Sequence, residues 1–232
     1  MTLTHQHANE CGIVICGHIH VAIIGNWWII LQQILDSVET SGLRAATSSI
    51  CISVVGGSQD DVCRIRRAYS RPGTHAKWAA TSVVRAEYPT LIQIYSCARQ
   101  TADVRFHWYA HTKGVSHYGM PCAANVADWL QLLVYFNILK WRDRYDNLNT
   151  HDICGVNWRE YPWPHFSGNF WWARSDYVRR LIHPDDARGI CTFGDRYGAE
   201  AWIGTGDPVL YCCHESGIDH YKQPYPSSLY RL

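Results

Sequence analysis

No apolar run in the 232-residue sequence is long enough to cross a membrane. The most apolar stretches, Trp27 to Leu31 and Leu132 to Phe136, are cut short by Asn26 and Gln32 and by Gln131 and Asn137. A spanning helix needs about 20 apolar residues, so only peripheral membrane contact stays open. An excess of charge is also missing: 21 Lys and Arg face 20 Asp and Glu, a formal net charge of +1. That balance argues against a general nucleic-acid partner, which needs a basic excess to displace counterions from phosphates. No Cys-x-x-Cys occurs among the ten cysteines, and no secretory signal opens the chain, since Met1 to Cys11 is polar. Cys16, Cys51, Cys97 and Cys191 sit singly in apolar surroundings, where a reduced thiol acts as a small hydrophobe. The expectation is a reduced, cytoplasmic protein.

Nucleotide and hydrolase signatures are absent as well. There is no G-x-G-x-x-G and no G-x-x-x-x-G-K-[ST]. Ser167 lies in His-Phe-Ser-Gly-Asn, which is not a G-x-S-x-G elbow, so serine hydrolase chemistry is set aside. Cys16, His18 and His20 alternate along one strand face, and Cys212-Cys213-His214 lies near the C-terminus. Neither has an established zinc spacing, and no metal ligand is assigned. Phenylalanine is scarce, with 5 against 11 Trp and 14 Tyr. Trp and Tyr join a flat apolar face to a polar tip, which suits both a core and a sugar-binding groove.

Apolar residues make up 47% and charged residues 18% of the chain, enough to build a substantial core. Gly12 to Ile24 reads as a buried strand, and Asn26 to Thr40 as a helix with Trp27, Ile30, Leu31, Ile34, Leu35 and Val38 on one face. Ser49 to Val55 is a strand ending at Gly56-Gly57, and Val62 to Tyr69 is a third, shorter element. Glu87 to Arg99 is a helix with Pro89 in its first turn. Arg105 to His111 is a strand running into Thr112-Lys113-Gly114, and Asn125 to Arg142 is a long helix. Short strands at Ile153 to Trp158 and Phe166 to Trp172 precede helices at Ser175 to Ile182 and Tyr197 to Ile203. Strands alternating with helices predict an α/β/α sandwich around a mainly parallel sheet. Ligands bind beyond the carboxyl ends of such strands. That rule singles out Gly56-Gly57, His111 to Gly114, Asn157 to Tyr161 and Ser167 to Asn169.

Three segments carry chemistry. In His111-Thr112-Lys113-Gly114 a cation and an imidazole precede a glycine, a pattern able to hold a diphosphate. A surface turn with an exposed lysine is the plainer reading. His165-Phe166-Ser167-Gly168-Asn169-Phe170-Trp171-Trp172 sets hydrogen-bonding groups beside flat apolar walls, which fits sugar recognition, although the tryptophans also suit a core. Glu200 lies among small and apolar neighbours, where burial would make it a better proton acceptor, or pairs with Arg196 one turn earlier.

The order of these segments, from His-Thr-Lys-Gly through Ser-Gly-Asn-Phe-Trp-Trp to Ala199-Glu200-Ala201-Trp202, resembles small nucleotide-sugar glycosyltransferases of the GT-A type. The resemblance implies one Rossmann-like domain over residues 1–232, with a nucleotide-sugar half at about 10–115 and an acceptor half at about 116–232. It implies Glu200 as base, with Lys113 and His111 neutralising the departing diphosphate. Gly114, Ser167, Gly168, Asn169, Trp171, Trp172 and His214 would contact donor or acceptor, with His220 an alternative to His214. Partners would be a nucleotide sugar and a glycan acceptor. The family's Asp-x-Asp for manganese or magnesium is missing at the expected exit, where only Asp60-Asp61 and Asp103 lie nearby in sequence. Two other functions compete: a non-catalytic carbohydrate-binding protein, and a nucleotidyltransferase, which needs grouped carboxylates.

Overall fold

The computed structural model describes residues 14–80, 82–83, 86–191 and 194–231, with nothing described for the Asp195 side chain. The strands are β1 (Val14–Ala22), β2 (Ser49–Val55), β3 (Thr74–Ala80), β4 (Val104–His111), β5 (Ile153–Gly155), β6 (Trp158–Arg159), β7 (His165–Phe166), β8 (Trp171–Arg174) and β9 (Leu210–Cys212). The α-helices are α1 (Trp27–Thr40), α2 (Leu43–Ala46), α3 (Gln59–Ala68), α4 (Tyr88–Gln100), α5 (Ala123–Val134), α6 (Trp141–Asn147), α7 (Ser175–Val178) and α8 (Asp195–Ala201).

The main sheet has the order β3-β2-β1-β4-β8-β5-β9, and β6 and β7 form a separate antiparallel pair. Every pairing from β3 to β4 is parallel, as is β5 with β9. Only β8 is reversed, running antiparallel to both β4 and β5. The predicted α/β sandwich with a mainly parallel sheet is therefore what the chain adopts. No helix among the described residues is long and apolar enough to cross a membrane.

The alternation of β1 and β4 divides the interior. Ile15, Ile19 and Val21 of β1 join Phe106, Trp108 and Ala110 of β4 in one core, packed with α1 and α5. The opposite face carries Cys16, His18 and His20 of β1 and His107, Tyr109 and His111 of β4, and it is covered by α4. Helix α1 buries the six apolar residues that its periodicity predicted. Each buried side chain of that size is worth about 1.5–3 kcal/mol, which outweighs the lack of any side-chain cap at Asn26.

Several elements differ from expectation. The short element at Val62 to Tyr69 is the last part of α3, whose start is fixed by a reciprocal cap: the Ser58 N–H donates to Asp61 Oδ2 at 2.8 Å. Strand β3 was not predicted. It pairs along one side only, and its exposed His75, Lys77 and Trp78 hide its periodicity. The long helix at 125–142 is two helices joined by a π-turn over Tyr135–Leu139. This widening leaves the Asn137 carbonyl to accept from Trp172 Nε1 at 2.8 Å. The strand expected over Phe166 to Trp172 is split into β7 and β8 by a left-handed turn, with φ of 91° at Gly168 and 53° at Asn169. The Ile153 to Trp158 strand is likewise divided, with Asn157 at φ 55° between β5 and β6.

Candidate functional site

The register brings the predicted segments to one edge. His20 pairs with His111, Tyr109 and Gly155 both lie opposite Trp171, and Gly155 pairs with Cys212. The carboxyl ends of β1, β4, β5 and β9 therefore lie side by side. Because β8 is reversed, its entry turn, Ser167 to Asn169, lies at this same edge rather than at an exit. Asp103 precedes β4 and falls at the opposite edge, and Asp61 is committed to the α3 cap.

Lys113 lies two residues beyond the end of β4. Gly114 turns the chain after it at φ 93°, and a Cβ there would lie 2.8 Å from Val126 Cγ1, so both conformation and space demand glycine. The plainer reading of an exposed lysine fails: Lys113 is 5% exposed. Its Nζ lies 3.8 Å from the centre of the Trp129 ring and 5.8 Å from that of Tyr221. Among the described residues no carboxylate or other acceptor is within hydrogen-bonding reach of it. Burial pushes its pKa down, opposed by the charge of Glu200.

Two more polar groups next to Trp129 lack partners among the described residues: Trp129 Nε1 itself and His220 Nδ1. The His220 ring stacks on Trp129 at 4.9 Å. Its tautomer follows from its neighbours. Asn157 Oδ1 accepts from the Ser216 N–H at 2.7 Å, which turns Asn157 Nδ2 towards His220 Nε2 at 3.2 Å. Nε2 is thus the acceptor, and the proton sits on Nδ1. Burial first, then Lys113, lowers the His220 pKa to about 4, so the ring is neutral. The Trp129 ring therefore gathers an ammonium and two N–H donors with nothing to donate to.

His111 belongs to a second, internal network. Its Nε2 bonds the Gly168 carbonyl at 2.9 Å, and its Nδ1 lies 3.8 Å from Glu87 Oε1. Burial, then Lys113, lowers its pKa to about 3. The ring is neutral at pH 7, so the expected imidazole–ammonium pair reduces to one cation, Lys113. Glu87, 7% exposed at the start of α4, organises this network. Its Oε2 accepts from the Tyr109 hydroxyl at 2.7 Å and from Asn169 Nδ2. Asn169 Oδ1 in turn accepts from Trp171 Nε1 at 2.9 Å.

These bonds correct the sugar-contact expectation. Both ends of the Asn169 amide are taken inside the protein. Trp171 and Trp172 are each 0% exposed, on opposite faces of the sheet. All three build the core, and neither tryptophan has a face to offer a sugar. A carbohydrate-binding protein working through these two rings is thereby excluded. Ser167 is half-buried, and its N–H donates to Asn157 O at 2.9 Å. Gly168 touches the site: a Cβ on it would lie 3.0 Å from Trp129 Nε1. His214 is held elsewhere, stacked on Phe136 at 4.8 Å and bonded to the Tyr225 hydroxyl at 2.9 Å. Of the two late histidines, His220 is the one beside Lys113.

Glu200, on α8, is half-buried. Its charge acts on Lys113, His111, Tyr109 and Tyr221, which places the acid on the same side of the sheet edge as the lysine. Among the described residues no ion pair joins it to Arg196. Sequence reasoning missed Glu87, Trp129 and Tyr221, and singled out Asn157 only as the start of a strand exit. A glutamate just before Tyr88-Pro89 has the appearance of an ordinary helix start, and Trp129 that of a plain core position.

The arrangement is an α/β sandwich with an acceptor-seeking site at the carboxyl edge of its sheet. Residues 28–193 match the domain of unknown function DUF8361, and the chain belongs to that family. No curated protein matches the sequence. Among solved structures, the chain is similar to 4-diphosphocytidyl-2C-methyl-D-erythritol synthase from Anaerococcus prevotii, with 10% identity, a TM-score of 0.49, and 88% of this chain and 87% of that one covered. It is similar to the same degree to Rv0371c from Mycobacterium tuberculosis, with 13% identity, a TM-score of 0.49, and coverage of 89% and 90%. Similarity at this level says nothing of the reaction.

Proposed function

We propose that this chain is a transferase that holds a nucleotide-activated sugar by its diphosphate at Lys113 and moves the sugar to an acceptor hydroxyl. The observation that carries the reading is the set of unanswered donors around Trp129: Lys113 Nζ, Trp129 Nε1 and His220 Nδ1. A buried donor without an acceptor costs roughly 1–3 kcal/mol, and a buried unpaired ammonium costs more. An anionic, oxygen-rich group satisfies all three. Diphosphate is the fitting anion, because a strand exit is where an α/β sheet receives nucleotides.

In the proposed reaction the acceptor oxygen attacks the anomeric carbon as its proton passes to the Glu200 carboxylate. The bond from that carbon to the phosphate oxygen breaks, and the nucleoside diphosphate leaves with the electron pair. Lys113 answers the charge that develops on it. Glu87 and His111 hold the strand end in place rather than meet the substrate. No group of carboxylates at metal-binding spacing occurs at this edge among the described residues, so the reading gives the phosphate charge to Lys113 and leaves manganese as an arm of the test.

The test is a panel of uridine-, guanosine-, cytidine- and thymidine-diphosphate sugars, with and without manganese, scored for binding and for products. Acceptor-dependent release of nucleoside diphosphate is the expected result. Release of pyrophosphate with nucleotide joined to the acceptor would replace sugar transfer by nucleotidyl transfer at the same site. Absence of binding by every member of the panel would overturn the nucleotide site itself.

A further inference from the structure

The face of the sheet beneath α4 carries a second cluster that the proposed reaction does not use. His18 of β1 and His107 of β4 lie side by side on it, each 0% exposed, with His18 Nε2 and His107 Nδ1 3.2 Å apart. Cys97, near the end of α4, faces them, and the three ligand atoms all lie within 4.8 Å of one another. Among the described residues this is the one group of three or more such ligands with that spacing. Cys16, two residues before His18 on the same face of β1, lies outside this group of three and next to it on the Cys97 side.

We propose that His18, His107 and Cys97, completed by Cys16, bind one zinc ion that ties β1, β4 and α4 together. Two nitrogens bound tetrahedrally at about 2.0–2.1 Å from zinc stand about 3.3 Å apart, close to the 3.2 Å found here. The sulfur needs an N···S edge of about 3.6 Å, so the site closes by an inward movement of about 1 Å by Cys97 and a rotation of Cys16 into the group. The outer bonding fits too. Ser175 Oγ lies 2.9 Å from His107 Nε2, and with the proton on Nε2 the Nδ1 lone pair is turned to His18 Nε2, where the ion would bind. His18 Nδ1 is buried and unpartnered among the described residues, so nothing in the protein fixes this ring by hydrogen bonds on both sides.

The donor set selects the metal. Two imidazoles and two thiols suit zinc, whereas magnesium and calcium take oxygen ligands. Charge selects the fourth ligand. One zinc ion with one thiolate would leave a net positive charge in a buried site; a second thiolate from Cys16 makes the set neutral, as a low-dielectric interior requires. Binding is then balanced: a divalent zinc ion enters from solution, both thiols become thiolates, and two protons leave to solvent. Four protein ligands leave no open position, so the ion is structural.

The experiment is metal analysis of the untagged full chain, followed by replacement of zinc with cobalt. The expected result is one equivalent of metal per chain, with sulfur-to-cobalt charge-transfer and tetrahedral ligand-field bands. Cys97→Ala should abolish the bands, and Cys16→Ala should halve the charge-transfer intensity, with circular dichroism confirming that each variant folds. Should Cys97→Ala fail to fold, the Cys16→Ala intensity decides alone. Cobalt spectra without a sulfur band, or bands unchanged by Cys16→Ala, would overturn the proposal. So would metal retained by Cys97→Ala and lost from a Cys212→Ala, Cys213→Ala double variant.

Discussion

Replacing Lys113 by methionine separates a cation kept for a ligand from one kept for stability. Methionine matches the length of the lysine stem and can lie on the Trp129 face. The change removes a cation–π contact whose Nζ is 3.8 Å from the ring centre, worth about 0.5–2 kcal/mol. It also removes the ammonium of a residue that is only 5% exposed and has no anionic partner in reach among the described residues, a burden of several kcal/mol where water is largely excluded. The second effect is the larger, so the ligand-free Lys113→Met protein should melt at the same temperature as the parent or higher. The affinity for a nucleoside diphosphate should fall, since a charge-assisted hydrogen bond is worth about 1.5–3 kcal/mol, or roughly 10- to 150-fold in Kd. The pH dependence carries a sign. Burial lowers the Lys113 pKa below 10.5, so the native protein holds fewer protons there than the unfolded chain. The parent therefore gains stability as pH rises through the lowered value towards 10.5, and its stability relative to Lys113→Met should improve over that window. Calorimetry of binding and of unfolding gives both quantities. A variant that melts well below the parent and binds nucleoside diphosphate as well as the parent does would refute the reasoning.

Three further outcomes are expected. Glu200→Gln should keep nucleotide affinity and lower kcat by about 10²- to 10⁴-fold, the range for a lost general base; unchanged kcat would remove Glu200 from the reaction. Trp172→Ala should cost about 3–5 kcal/mol of stability, from a fully buried ring and its 2.8 Å bond to Asn137 O, and denaturant midpoints check it. Acid should destabilise the protein between pH 6.5 and about 3, because His111 and His220 are held neutral in the fold at about 3 and about 4. Each binds a proton more readily once unfolded, so stability is lost as pH falls below 6.5, and His220→Gln should shift the acid midpoint to lower pH.

Much of the scaffold was legible in the residues. The apolar stripe of α1, the unbroken run of β2 and the proline at the start of α4 each state one structure, because burial and period agree there. The interrupted elements were not legible. The split between β7 and β8 depends on a left-handed Gly168-Asn169 turn, and Asn169 in that conformation is held by a local bond from Trp171 and by one to Glu87, far away in the chain. Local pattern cannot report such bonds. The same limit governs the site. His111 and Lys113 stand out as a motif, but the neutrality of one and the isolation of the other depend on burial under α4, on the Trp129 ring and on Tyr221. Trp171 and Trp172 read as ligand walls because the hydrogen-bonding Ser167-Gly168-Asn169 stands beside them; adjacent residues on a strand face opposite ways, and here both directions lead into core.

The central claim is that the ammonium of Lys113 receives a diphosphate. A structure of the protein crystallised with a nucleoside diphosphate tests it most directly. Phosphate oxygens are expected in hydrogen-bond contact with Lys113 Nζ, with Trp129 Nε1 or His220 Nδ1 donating to the same group. A nucleotide bound elsewhere, with Lys113 still lying unanswered on the Trp129 ring, would contradict it.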